Sequence, residues 1–210
     1  MELLQNKGFQ IFLFINFILV VVFVICYIFY RLTKPCYRTI ETIHDLQNIT
    51  SFPKKKVKLT GKITRVIDGD TVKFSYKPCL GKYGKEMTLR LMGIDAPEIA
   101  FGNKPGQPLG DVSKLFVEEK CLKKTVKVHL IDIDRYNRIV ANIFINNISL
   151  SLLLVRNGLA FVYKGNVKFD GIKDLLIKEE KLAKSKNLGV WKENVIYPGN
   201  FRNNSSVKMI

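Results

Sequence analysis

Four cysteines in 210 residues leave this chain without a disulfide framework or a cysteine metal site. Cys26, Cys36, Cys79 and Cys121 include no Cys-x-x-Cys pair, and Cys26 lies inside an apolar run. Reduced thiols are therefore expected, with Cys36, just past that run, a candidate for acylation. Acidic side chains are also scarce, 18 Asp and Glu against 34 Lys and Arg, for a net charge of +16. Charged residues at 25% and apolar residues at 47% exclude a wholly disordered or fibrous chain. The length suits one domain plus an appendage rather than two full domains.

The apolar residues are unevenly spread. From Ile11 to Tyr30 one strongly polar residue, Asn16, interrupts the run. Roughly 20 apolar residues cross a bilayer core as a helix, and this stretch has no polar face to lay against water. It is too long and bulky for a signal-peptide core, and no small-x-small cleavage site follows it. Tyr27, Tyr30 and Arg31 form an interfacial border. The expected organisation is a tail over 1–10, a transmembrane helix over 11–30, a linker over 31–56, a folded domain over 57–193 and a C-terminal tail over 194–210. Pro35 and Pro53 punctuate the linker, with a short helix expected over 39–46 and the Lys54-Lys55-Lys56 run keeping it solvated.

Residues 58–193 carry 25 Lys and Arg against 15 Asp and Glu, a surplus of +10. Such a surface attracts nucleic acid or an anionic membrane, and also serves solubility alone. From Val57 the pattern alternates as half-buried strands do. Strands are expected over Val57–Ile67, Thr71–Phe74, Met87–Ile94, Thr125–Leu130 and Ile139–Ile145, with a hairpin loop around Gly81–Gly84. Helices are expected over Asp111–Leu122, with apolar Val112, Leu115, Phe116 and Leu122, over Leu150–Arg156, and over Asp170–Lys186. The last has an apolar stripe of Ile172, Leu175, Leu176, Ile177, Leu182 and Ala183. Five short strands with three interspersed helices give an α+β domain built on a small OB-type barrel.

The chemistry gathers at strand ends. Asp68 and Asp70 are two apart, so an extended chain projects both to one face. Arg90 ends an apolar strand, Asp95-Ala96-Pro97-Glu98 follows it, and Asp134-Arg135-Tyr136-Asn137-Arg138 joins two others. Taken singly, Asp-Gly-Asp is turn chemistry, Asp-Ala-Pro-Glu a capped loop and Arg138 a surface ion-pair partner. Together, converging carboxylates suit a hard cation such as calcium or magnesium, and arginines aimed at the same place suit a phosphate. That is the equipment of phosphodiester cleavage.

Val66-Ile67-Asp68-Gly69-Asp70-Thr71-Val72, Leu89-Arg90-Leu91-Met92-Gly93-Ile94-Asp95-Ala96-Pro97-Glu98 and Asp134–Arg138 closely resemble the staphylococcal nuclease (thermonuclease-like) family. Leu154-Val155-Arg156-Asn157-Gly158-Leu159-Ala160 and Asn187-Leu188-Gly189-Val190-Trp191 match as well. The anchor and the Phe101–Pro108 loop look most like a membrane-anchored fungal branch associated with mitochondria. The resemblance implies that Asp70 and Asp95, with the Ala96 main-chain carbonyl, hold a calcium ion, and that Glu98 is the general base on water. It implies that Arg90 and Arg138 bind the scissile phosphate, that Asp68 fixes the approach of the Asp70 strand, and that Tyr136 and Tyr163 stack on nucleotide bases.

The expectation is a membrane-anchored calcium-dependent endonuclease acting on DNA or RNA. The alternative is a catalytically silent nucleic-acid or protein binding module of the same fold, for which Glu98 has no chemical use. One Lys before the apolar run against Arg31, Lys34 and Arg38 after it puts the domain on the cytosolic side by the positive-inside rule. Reduced cysteines agree, and the acceptor patterns at Asn48, Asn147 and Asn203 would then stay unglycosylated. The family resemblance favours a mitochondrial membrane.

Overall fold

The computed structural model describes residues 2–33, 46, 52, 56–76 and 86–205. The expected hairpin loop at Gly81–Gly84, Cys36, Cys79, Asn48, Lys54, Lys55 and all of the 39–46 helix but Leu46 lie outside the described residues. The chain divides into two compact units, Met1–Arg38 and Thr39–Ile210.

The first unit is one helix, α1 (Glu2–Thr33). Its Gly8–Phe29 stretch is long and apolar enough to cross a membrane, 22 residues at a mean hydropathy of 3.1. At 1.5 Å per residue that is roughly 33 Å, the thickness of a hydrocarbon core. From Ile11 on the one strongly polar residue satisfies itself: Asn16 Nδ2 donates to the Phe12 carbonyl one turn back, at 2.9 Å.

The second unit is a closed barrel. Its strands are β1 (Val57–Val66), β2 (Thr71–Tyr76), β3 (Met87–Leu91), β5 (Thr125–Ile133) and β6 (Ile139–Ile145). β1 is long enough to pair with two partners, β5 along Val57–Lys62 and β2 along Gly61–Val66, with a bulge between Ile63 and Arg65 that bends it around the barrel. β5 pairs with β6, and parallel pairing of β3 with β6, Leu89 opposite Ile139 and Leu91 opposite Ala141, closes the ring. Ile63, Val72, Phe74, Leu89, Val128 and Ile143 fill it, all fully buried. Two short strands, β4 (Ile94–Asp95) and β8 (Phe161–Val162), pair separately, and β7 (Ile148–Ser149) extends the β6 edge. The β6–β7 turn is Asn146-Asn147, both at positive φ, as a tight hairpin turn requires.

The helices are α2 (Gly110–Cys121), α3 (Leu150–Arg156), α4 (Lys173–Ser185) and α5 (Pro198–Ser205), with a 3-10 turn over Gly189–Trp191. The five-stranded barrel and three of these helices follow the sequence expectation, with differences of physical interest. The third strand does not run unbroken to Ile94. Gly93 takes φ +69°, and a Cβ there would lie 2.7 Å from the Phe169 ring, so the chain turns and restarts as β4. In α2 two of the four apolar side chains read at helical spacing point out. Val112 and Leu115 are exposed, and the buried residues are Gly110, Ser113, Val117 and Cys121. Ser113 can be inside because its hydroxyl donates to the Leu159 carbonyl at 2.7 Å. Cys121 is a free thiol that burial pushes up to about 12. The α4 stripe narrows to Leu176 and Ala183, with Leu175 and Leu182 exposed.

The stretch after residue 193, set apart in the sequence as a tail, packs on the domain. Val195 joins Phe161 and Val190 in a small apolar cluster, and the Tyr197 ring meets Phe161 edge-on at 5.6 Å. α5 then starts at Pro198, a residue suited to a helix's first position.

Candidate active site

Backbone register assembles the site. Thr71, the first residue of β2, lies opposite Arg90 in β3, and the Leu91 amide donates to the Asp70 carbonyl at 2.7 Å. The Gly93 turn then brings Asp95 back to the Arg90 side chain five residues on. Gly69 lets the Asp68–Asp70 turn approach the loop after β4, since a Cβ there would lie 2.7 Å from the Ala96 Cβ and 2.8 Å from the Ser113 Cβ. The main-chain amide of Ala96 donates to Asp70 Oδ2 at 3.0 Å, and that of Asp70 donates to Asp68 Oδ1 at 2.9 Å.

Arg90 is the hub. One terminal nitrogen donates to Asp70 Oδ1, and the other to Asp95 Oδ1 at 2.7 Å and the Ile94 carbonyl at 3.3 Å. Side-chain exposure is 13% for Arg90, 6% for Asp70 and 0% for Asp95, so the pairs are buried. Burial disfavours the Arg90 charge, yet the Asp70 and Asp95 carboxylates outweigh it and raise its pKa. Burial, and next the charge on Asp70, pushes Asp68 up to about 7.

Glu98 stands at the rim. Its amide donates to Gln107 Oε1 at 3.1 Å, and its carbonyl accepts from the Gln107 amide at 2.8 Å. Gln107 Nε2 in turn donates to the Ile196 carbonyl at 2.6 Å, tying the Glu98 loop to the C-terminal segment. The Glu98 carboxylate pairs with Arg202 of α5, whose guanidinium also donates to Asp95 Oδ2 at 2.9 Å and Oδ1 at 3.3 Å. Charges thus alternate along Asp70, Arg90, Asp95, Arg202 and Glu98. Sequence reasoning missed Arg202, because it lies 104 to 107 residues from its partners. The available signal was Pro198 as a helix start.

Asp70, Arg90, Glu98 and Arg202 line a cavity of about 760 Å³, together with Asp68, Tyr136, Arg138 and Tyr163, while Asp95 is buried behind them. Arg138 faces the cavity but does not join the Asp70–Asp95 cluster. Its Nε donates to Asp134 Oδ2 at 2.7 Å, and Asp134 also accepts the Tyr136 and Arg138 amides, organising the loop around Asn137 at φ +57°. Tyr136 is 64% exposed, with Arg135 4.8 Å and Arg138 5.3 Å from its ring centre. Tyr163 also lines the cavity, its amide donating to the Gly93 carbonyl at 2.9 Å. Ala96 enters the network through its amide.

A closed five-stranded barrel carrying a buried acid–arginine cluster defines an OB-like domain. The family model described as "Staphylococcal nuclease homologue" matches residues 88–193. The chain is 35% identical over 171 residues to "Probable endonuclease LCL3" of Komagataella phaffii, covering 69% of this chain and 74% of that protein. It is 32% identical over 176 residues to "Probable endonuclease C19F8.04c" of Schizosaccharomyces pombe, covering 70% and 75%. It is 38% identical over 122 residues to "Probable endonuclease LCL3" of Saccharomyces cerevisiae, covering 54% and 44%. The chain belongs to the staphylococcal nuclease family.

Proposed function

We propose that this protein is a membrane-anchored, calcium-dependent endonuclease that hydrolyses phosphodiester bonds of DNA or RNA. The observation that carries this is the buried Asp70–Arg90–Asp95 cluster, whose Asp70 and Arg90 line one cavity with Glu98. The naming of its relatives as probable endonucleases supports the same reading.

Asp70 and Asp95 are hard oxygen donors drawn to one point, and their chemistry fits a hard divalent cation. Among the described residues no group of three or more acidic, His or Cys side chains forms a ready-made metal set. On the family resemblance the cation would rest on Asp70, Asp95 and the Ala96 carbonyl, with water and phosphate completing a loose shell of the kind calcium tolerates. When bound, it supplies neutralisation of phosphate charge. Glu98 accepts a proton from the attacking water, whose oxygen bonds to phosphorus while the ester bond to the leaving oxygen breaks and that oxygen takes up a proton. Arg90 and Arg138 offer paired N–H donors to the non-bridging oxygens, where negative charge grows. Asp68 steadies the Asp70 backbone, and Tyr136 and Tyr163 stack on bases without reading sequence.

The test is cleavage of labelled DNA and RNA by the purified chain with calcium, with magnesium and with chelator. Cleavage is expected in calcium, mostly lost in magnesium and absent in chelator; undiminished cleavage in chelator would overturn the reading. We also propose that α1 anchors the protein in a mitochondrial or other intracellular membrane with the domain facing the cytosol, as the Lys and Arg count supports. Protease added to intact organelles should digest the domain; protection without detergent reverses the orientation.

A further inference from the structure

The C-terminal helix carries an arginine into the site. We propose that Arg202 is the resident counter-ion of Asp95 and Glu98, and that a divalent cation enters by displacing it. The inference rests on the metallonuclease reading above and adds to it a built-in threshold for the cation.

The geometry is specific. Asp95 has no exposed side-chain surface, and both of its oxygens are engaged, Oδ1 by Arg90 and Oδ2 by Arg202. Arg90 comes from the barrel wall beneath, 13% exposed, whereas Arg202 comes from the solvent side, 44% exposed. Arg202 lines the cavity and Asp95 does not, so a cation approaching Asp95 from the cavity meets the Arg202 guanidinium on Oδ2. The same guanidinium holds the Glu98 carboxylate, so the base proposed to activate water is tied up while Arg202 stays. With Arg202 in place the five-residue cluster of Asp70, Asp95, Glu98, Arg90 and Arg202 sums to −1, and without it to −2, the charge that matches a divalent ion.

The carrier is built for such an exchange. Residues leading into α5 are fixed to the domain by the Gln107 bond to Ile196, by Tyr197 on Phe161, and by the Lys164 amide donating to the Tyr197 hydroxyl at 3.3 Å. α5 itself has eight residues, and its Arg202 side chain is long and nearly half exposed. The arm can leave Asp95 without unfolding its base.

The experiment is calorimetric titration of calcium chloride into the full chain in detergent micelles, without nucleic acid, for the parent, R202Q, R202K and D95N. The calcium concentration giving half-maximal cleavage is measured alongside. Trp191, the single tryptophan, reports by its emission that each variant is folded. R202Q should bind calcium at least tenfold more tightly than the parent, with R202K between them because an ammonium cannot span both carboxylates. The half-maximal concentration should fall in parallel, and D95N should not bind. Equal or weaker calcium binding by folded R202Q or R202K overturns the proposal. So does slower cleavage at saturating calcium with unchanged affinity, which would make Arg202 a phosphate contact. If neither the parent nor R202Q binds calcium, the cation reading itself has failed, an outcome distinct from equal binding by both.

Discussion

Replacing Arg90 by methionine should destabilise the metal-free domain more than any other single change at the site. Methionine keeps an unbranched apolar stem of similar reach and removes the charge. Asp70 then retains the Thr71 hydroxyl and the Ala96 amide, each at 3.0 Å, but no cation, while Asp95 keeps Arg202. Hydrogen bonds to charged groups contribute roughly 1.5–3 kcal/mol each, and removing one partner of a buried pair costs about 3–5 kcal/mol. Because Arg202 still serves Asp95, the lower end applies, about 3 kcal/mol. For a chain of this size 1 kcal/mol moves the melting temperature by about 2–4 °C, so R90M should melt roughly 6–12 °C lower. Trp191 emission in chelator follows the transition. The double variant R90M/D70N, which removes the stranded charge, should recover part of the loss, since directly contacting residues couple. A single variant melting within 2 °C of the parent, with no recovery in the double, would refute the view that Arg90 holds these carboxylates together.

Glu98→Gln should slow cleavage by about 10²–10⁴-fold, the usual worth of a positioned general base, with calcium binding retained; parental turnover would remove Glu98 from the mechanism. Asp170→Asn tests a site away from the cavity, where the carboxylate gathers Lys56, Asn142 Nδ2 at 3.0 Å and His129 Nδ1 at 3.0 Å from three parts of the barrel. Burial raises its pKa, but these donors outweigh it and hold Asp170 below the usual carboxylate range. Its contribution is therefore present above the unfolded value near 4 and lost as pH falls through the lower folded one. The asparagine variant should be less stable by about 1–2 kcal/mol at pH 7, with the gap to the parent narrowing in urea titrations as pH falls below the unfolded value. A gap that stays constant with pH would count against the charge.

What the sequence made legible was local. β1 alternates apolar and polar residues and is buried on alternate residues along Val57–Ile63, so period-two reading finds it. The Asp70, Arg90, Asp95 and Glu98 constellation falls within 29 residues, and strand pairing between neighbours brings it together. Periodicity failed in α2, because a count of apolar residues cannot know that Ser113 has a carbonyl waiting on Leu159. There a hydroxyl and a cysteine face the core and two larger apolar side chains face out.

The site also reaches beyond the recognised motif. Arg138 and Arg202 are both arginines near acids, and sequence reasoning preferred the one inside the recognised motif. Arg138, however, has its own acid four residues away across a tight loop, which holds it in place and occupies its Nε. Arg202 has no acid within the C-terminal stretch, because residues 194–210 contain neither Asp nor Glu. A cation in a segment without anions must find its partner elsewhere or remain in solvent, and the apolar fastening at Val195 and Tyr197 brings this one to Asp95 and Glu98. Local charge balance along the chain therefore carried information about Arg202 that motif membership did not. An arginine already paired within its own loop is a weaker candidate for the cluster than one whose surroundings offer it no acid.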